Sequence, residues 1–270
     1  MIYFLTIIQI IIESFPVSSS GHVALSSYLL STWPWVCSKT DLTFEYVESL
    51  LYGPTALILL LFFFFDWWRL LFQKDFSIEQ IVQKETYARL QQPVLFYILF
   101  SLCFLPLYFL QSHFSVHTPL YVGFMLTQIC LVWMSNYSLF SKKVSWSFSE
   151  AIIFAVVNGA ALCIPGLSRL GSSMLAGVLF GYSIEQSFVF SWMLFFPMTC
   201  VAFVQGLMSS SSLLLKMLLF DLWWWIAIVC AMIGAWAGLY LVRLLIRKEK
   251  IYYLAWYMCI PTVLAWYFQI

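Results

Sequence analysis

Charge is what this chain lacks. Asp, Glu, Lys and Arg make up 9% of its 270 residues, where a soluble globular protein carries about 25%. Histidine is scarce too, with three residues. The seven cysteines (Cys37, Cys103, Cys130, Cys163, Cys200, Cys230 and Cys259) include no CxxC pair, and most sit in apolar runs, where cysteine behaves as a small hydrophobe. A zinc site or a disulfide framework is therefore not expected. The formal net charge of +1 gives a nucleic acid or other polyanion nothing to bind. The first dozen residues lack the basic start and small-residue cleavage site of a signal peptide, so they are expected to be mature protein.

Apolar side chains fill the space, at 63% of the chain, with 20% aromatic. One core cannot hide that surplus while a polar skin covers it. A soluble enzyme, a disordered protein and a nucleic-acid binder are excluded. What remains is an all-α polytopic membrane protein. At about 20 residues per span there is room for roughly six to ten full or partial crossings.

Spanning runs are expected at 50–68, 93–110, 119–140, 187–208, 222–242 and 251–269. Two other apolar stretches are interrupted. Residues 1–33 are broken by Pro-Val-Ser-Ser-Ser-Gly-His at 16–22, and 149–183 by Pro-Gly-Leu-Ser-Arg-Leu-Gly at 165–171. Proline ends a helix, while Gly and Ser allow a turn, so each stretch predicts a re-entrant helical hairpin.

Basic residues set the orientation. Arg69, Lys74, Lys84 and Arg89, then Lys142 and Lys143, then Arg243, Arg247, Lys248 and Lys250 mark three cytoplasmic regions. That leaves 37–48, 111–118 and 209–221 outside, with only Lys39 and Lys216. The alternation closes if 1–33 dips in from outside and 149–183 from the cytoplasm, each followed by three spans. The expected architecture is one integral membrane domain, 1–270, built as an inverted repeat of 1–148 and 149–270. Sequence matches between the halves are short. Gln9 and Asn158 each lie seven residues before the turn proline, and Ser19 and Ser168 three residues after it.

Non-helical backbone at membrane depth must be buried in protein or line a wet cavity. Two such turns would bring Gln9, Glu13, Ser18, Ser19, Ser20, Gly21 and His22 towards Asn158, Gly166, Ser168, Arg169, Gly171, Ser172 and Ser173. Helix N-termini, hydroxyls and an arginine together suit a phosphate-bearing ligand. Glu13, His22 and Arg169 are the costly residues at this depth, and such groups point to function. Structural alternatives exist: Glu13 and Arg169 as a buried ion pair, His22 as a packing residue, and one of Ser18–Ser20 as a helix cap. His113 and His117 have metal-compatible i,i+4 spacing but no third ligand nearby. Asp66 and Asp221 read as interface markers beside tryptophans, and Glu45 and Glu48, at an outer helix start, as solvated residues or as groups approaching the outer mouth of the cavity.

The two turns resemble those of the bacterial undecaprenyl-diphosphate phosphatases. Gln9-Ile-Ile-Ile-Glu13-Ser-Phe-Pro-Val-Ser-Ser-Ser-Gly-His22 is similar to that family's Glu-rich, Pro-Val-Ser-Ser-(Ser/Thr)-Gly-His segment. Pro165-Gly-Leu-Ser-Arg-Leu-Gly-Ser-Ser173 is similar to its Pro-Gly-x-Ser-Arg-Ser-x-x-Thr segment. Phe190–Pro197 and Phe44-Glu45 also fit, in the same order. The resemblance implies six spans and two re-entrant hairpins in the bacterial cytoplasmic membrane, with the site facing the outer side. It implies hydrolysis of a polyprenyl diphosphate lipid to the monophosphate, supported by a divalent cation, magnesium or calcium. Ser19 would be the nucleophile and His22 its acid/base partner, or His22 the nucleophile itself. Glu13 would take the metal, and Arg169 the phosphate. Gln9, Ser18, Ser20, Gly21, Gly166, Ser168 and Ser173 would line the substrate. A second copy of the chain is left open as a partner. Gln9 stands where the family often has Glu, Ile10 where it has Gly, Leu170 where it has Ser, and Tyr257-Met258 where it has Tyr-Arg. A transporter or polyprenyl-phosphate flippase with a midplane anion site is the competing class, since inverted repeats and broken helices are its hallmark.

Overall fold

The computed structural model describes residues 2–32, 41–72, 118–136, 148–210 and 219–270. The expected span at 93–110, His113, His117, and the lysines and arginines at 39, 74, 84, 89, 142, 143 and 216 lie outside the described residues. Every regular element among the described residues is an α-helix. In chain order they are α1 (Ile2–Glu13), α2 (Ser19–Ser31), α3 (Asp41–Phe72), α4 (Leu120–Ser135), α5 (Phe148–Cys163), α6 (Arg169–Leu179), α7 (Ile184–Ser209), α8 (Leu222–Arg247) and α9 (Tyr252–Tyr267).

Three helices among the described residues are long and apolar enough to cross a membrane: Val47–Trp68, Ile184–Ser209 and Leu222–Arg247. They answer the runs expected at 50–68, 187–208 and 222–242. Helices α4 and α9 hold 16 residues each. At about 1.5 Å per residue each is roughly 24 Å long, shorter than a hydrocarbon core of about 30 Å. Both interrupted stretches break where expected, giving the short apolar helices α1 and α5 before their turns. Large rings lie bare on the outside: Phe65, Trp256 and Tyr267 are 70%, 71% and 72% exposed. A surface of that kind faces lipid rather than water.

Contacts fix the helix directions. Gly53 of α3 meets Phe203 of α7, and Gly206 meets Ser49, so these two run antiparallel. Their seam is aromatic, with Phe63 packed edge-on to Phe188 and fully buried beside Trp192. Helix α8 runs parallel to α3, since Trp236 meets Phe62 and Arg243 pairs with Asp66. Helix α1 also runs parallel to α8, from Tyr3 against Asp221 to Ser14 against Gly238. Gly234 and Gly238 let α1 lie close on α8, a small-xxx-small contact. Helix α4 runs antiparallel to α9, with Leu120 N–H donating to Ile270 O at 2.8 Å.

The two aspartates read as interface markers have partners. Asp221 caps α8, accepting from Trp223 N–H at 3.0 Å, and also accepts from Tyr3 Oη at 2.6 Å. Asp66 pairs with Arg243, and Arg247 donates to Glu185 at 3.0 Å. The ends of α3 and α8 and the start of α7 are thereby clamped together.

Each interrupted stretch begins and ends at one end of the bundle. Tyr3 of α1 sits by Asp221, and Tyr28 of α2 packs 5.7 Å from Phe268 at the end of α9. Glu150 of α5 accepts from Tyr182 Oη at 2.9 Å, beside the start of α7. Asp221 and Glu185 lie at opposite ends of the bundle, because α8 starts at one and its last turn meets the other.

Candidate active site

Two turns of nearly the same local geometry face each other. Ser18 precedes α2 with φ −75° and ψ 108°, and its hydroxyl accepts from Gly21 N–H at 3.2 Å. Ser168 precedes α6 with φ −74° and ψ 114°, and accepts from Gly171 N–H at 3.0 Å. Both are N-caps, as Ser residues at a helix start favour. Counting from the prolines pairs Ser19 with Ser168, but the caps pair Ser18 with Ser168. The second turn is one residue longer because it contains Gly166 in the left-handed region, at φ +83°. The structural partner of Ser19 is therefore Arg169.

The turns touch. A Cβ on Gly171 would lie 3.0 Å from Pro16 O, and one on Gly21 would lie 3.0 Å from Gly166 Cα. Behind them stands α4. A Cβ on Gly123 would be only 1.9 Å from Pro165 O, so that position admits no side chain. Thr127 Oγ1 accepts from Ser168 N–H at 2.8 Å and lies 3.1 Å from Gly166 O. The ring of Phe124 packs edge-on to His22, centroids 5.2 Å apart.

One small, open pocket of about 30 Å³ joins the two turns. Its polar wall is Glu13, Ser18, Ser19, Ser20, Ser168 and Arg169, and its apolar wall includes Trp192 and Phe195 of α7. The first N–H groups of α2 and α6 have no acceptor within their own helices, so both N-termini offer partial positive charge here. Arg169 lies over the Phe195 ring at 4.6 Å and donates to Tyr52 Oη at 3.5 Å. No carboxylate pairs with it among the described residues, so the buried Glu13–Arg169 ion pair is not formed. Glu13 instead accepts from Thr55 Oγ1 at 3.0 Å through Oε2, while Oε1 is buried without a partner. Arg169 beside two helix N-termini, sharing the wall with Glu13 but not ion-paired to it, makes an anion site.

His22 stands behind this wall rather than in it. Its Nδ1 is 2.5 Å from Ser18 O, and its ring stacks on Tyr257 at 5.7 Å, 4° from parallel. A carbonyl only accepts, so Nδ1 carries the proton and Nε2 holds the lone pair. Nε2 is buried without a partner. Gln9 is fully buried with neither amide atom paired, and Ser173 Oγ is likewise unpaired. Both, with Gly21 and Gly166, lie off the pocket wall and support it from behind. Among the described residues no group of three or more His, Cys, Asp or Glu gathers into a metal site.

Tyr52, Thr55, Phe124, Thr127 and Tyr257 were not foreseen. Each sits in an apolar run where a lone hydroxyl or ring looks like ordinary membrane filling. The spacing of Tyr52 and Thr55, three apart on α3, is the one signal that two polar groups share a face. Beyond α3, an apolar groove of about 510 Å³ runs between α3, α7 and α8, lined by Gly53, Pro54, Leu57, Phe203, Trp224 and Met232, with Val204 and Leu207 also on its wall.

Among known proteins, undecaprenyl-diphosphatase 1 of Shouchella clausii is 32% identical over 120 residues, 43% of this chain and 43% of its own. The undecaprenyl-diphosphatase of Acaryochloris marina is 30% identical over 195 residues, 71% of this chain and 70% of its own. That of Halothermothrix orenii is 28% identical over 269 residues, 97% of this chain and 95% of its own. The family model described as bacitracin resistance protein BacA matches residues 2–264, which take in both turns and all but the end of α9. The chain belongs to the BacA family.

Proposed function

We propose that this protein hydrolyses undecaprenyl diphosphate to undecaprenyl phosphate and inorganic phosphate, in a bacterial membrane. The family and the names of its relatives support the activity. The observation that carries the site is the convergence of Arg169, two helix N-termini and Ser18–Ser20 on one pocket. Charge on a transferring phosphoryl group spreads over its oxygens. Arg169 and the free N–H groups neutralise it without reorganising.

Ser19 Oγ attacks the terminal phosphorus. Its proton passes by way of an intervening water to His22 Nε2, the unpartnered nitrogen behind the wall. The bond from phosphorus to the bridging oxygen breaks, and undecaprenyl phosphate leaves. Water then attacks the phosphoserine, releasing phosphate and restoring the hydroxyl. Ser18 is committed to capping α2, which leaves Ser19 as the less encumbered hydroxyl at the wall. A divalent cation, magnesium or calcium, fits Glu13, whose buried Oε1 is an unpaired hard donor. When bound it would supply further positive charge to the diphosphate.

The architecture proposed is an inverted repeat of 1–148 and 149–270, with hairpins α1–α2 and α5–α6 entering from opposite faces. The matching caps, the hairpin ends at opposite ends of the bundle, and the pairings α3–α7 and α4–α9 support it. The basic end of α8 favours the cytoplasm for the clamp of Arg243 and Arg247, so the first hairpin enters from outside and the site opens there. The isoprenoid tail lies in the groove between α3, α7 and α8. That groove flanks the stretch of α3 whose Tyr52 and Thr55 reach Arg169 and Glu13.

The test is phosphate release from undecaprenyl diphosphate by purified protein in detergent, with magnesium or calcium supplied. Acid quench during turnover, followed by peptide mapping, should find phosphate on Ser19. A silent wild type refutes the activity, and phosphate mapped elsewhere refutes the assignment of Ser19.

A further inference from the structure

No residue of the turn motifs lies on α4, yet both turns are built against it. The Pro165–Ser168 turn needs an outside brace. Gly166 holds a positive φ, and the N–H of a capping residue lies outside the helical ladder. Ser168 is buried, so its N–H must find an acceptor within the protein. Thr127 Oγ1 supplies it at 2.8 Å. The same oxygen stands 3.1 Å from Gly166 O and 3.0 Å from Gly123 O, which share its single proton. Thr127 thus grips the chain on both sides of Leu167, a residue of the pocket wall. It is fully buried and does not line the pocket, so it cannot touch substrate there.

We propose that Thr127 is a positioning residue of the phosphatase site: it holds the start of α6, and with it Arg169, at the anion pocket. The proposal rests on the hydrolytic reading of that pocket. Arg169 follows Ser168 directly, so a shift of the cap moves the first N–H groups of α6 and the guanidinium together. The expected defect is therefore in holding the diphosphate, ahead of any defect in folding.

The test compares Thr127→Val, which keeps the shape and loses the hydroxyl, with Thr127→Ser, which keeps the hydroxyl. Two readouts are taken in detergent: kcat and KM for undecaprenyl diphosphate, and the concentration of inorganic pyrophosphate that half-protects against thermal unfolding. The valine variant is expected to lose about tenfold or more in kcat/KM, the worth of one buried donor left unpaired. Its half-protecting pyrophosphate concentration should rise in proportion, while Thr127→Ser stays within about twofold of wild type. If the valine variant does not fold, Thr127→Ala replaces it. Both it and Thr127→Ser lose the methyl group, so only the hydroxyl separates them. Equal kinetics and equal pyrophosphate protection with and without the hydroxyl overturn the proposal. Should the wild type bind pyrophosphate but release no phosphate, the hydrolytic reading fails, and the protection readout still decides the role of Thr127.

Discussion

Ser18 and Ser19 are neighbours, yet the fold separates their roles. Ser18 Oγ is tied to Gly21 N–H, and Ser18 O to the His22 ring. Ser18→Ala should therefore cost about 1 kcal/mol of stability, read as a lower melting temperature, because a capping hydroxyl is lost. Ser19→Ala should melt like wild type and lose about a thousandfold or more in phosphate release, the scale for a removed nucleophile. The reverse pattern would move the chemistry to Ser18. At Arg169 the planar guanidinium lies over the Phe195 ring while reaching Tyr52. Lysine offers a point charge and no plane, so Arg169→Lys should lower kcat/KM about a hundredfold with the fold intact. A change below threefold would remove Arg169 from the anion site.

Among the elements, α4 shows what the sequence did and did not disclose. The turns were legible because Pro, Gly and Ser interrupt long apolar runs, and nothing else in a lipid-facing chain explains such a break. The partner of those turns was not. Gly123, Phe124 and Thr127 are residues any membrane helix can carry, and only their spacing against Pro165 and Ser168 gives them meaning. The one-residue slip between Ser19 and Ser168 has a similar source: a left-handed Gly166 lengthens one turn without changing its composition. Gly123→Ala tests the helix directly. Its methyl would meet backbone at 1.9 Å, whereas that of Gly234→Ala would meet the tip of Ile11 at 2.7 Å. Gly123→Ala should lose both melting temperature and activity, with a cost of about 1–3 kcal/mol. Gly234→Ala should change little, since a flexible side chain can move aside. The groove makes its own prediction. Val204→Trp should raise KM for undecaprenyl diphosphate several-fold over that for farnesyl diphosphate, whose short tail leaves most of the groove empty. Equal shifts for the two substrates would place the tail elsewhere.

For the whole molecule, composition alone fixed the solvent: a chain so poor in charge has to live in lipid. The charge alternation also anticipated the helix directions, with α3 and α8 parallel and α7 running against them. The short α4 and α9 were not anticipated, because hydropathy marks where a run is apolar and not where tertiary contacts end the helix. Orientation is open to measurement in cells. In a background without the native cysteines, Asp221→Cys should react with a membrane-impermeant maleimide, and Lys250→Cys only after permeabilisation. The opposite labelling would invert the topology and put the site on the cytoplasmic face. The claim beneath all of this is that both turns build one hydrolytic site. The most direct measurement is phosphate release from undecaprenyl diphosphate by wild type, His22→Ala from the first turn and Arg169→Ala from the second, each shown folded by its melting curve. The wild type should turn over while both variants fall silent. A folded Arg169→Ala variant that still hydrolyses at the wild-type rate would contradict the account.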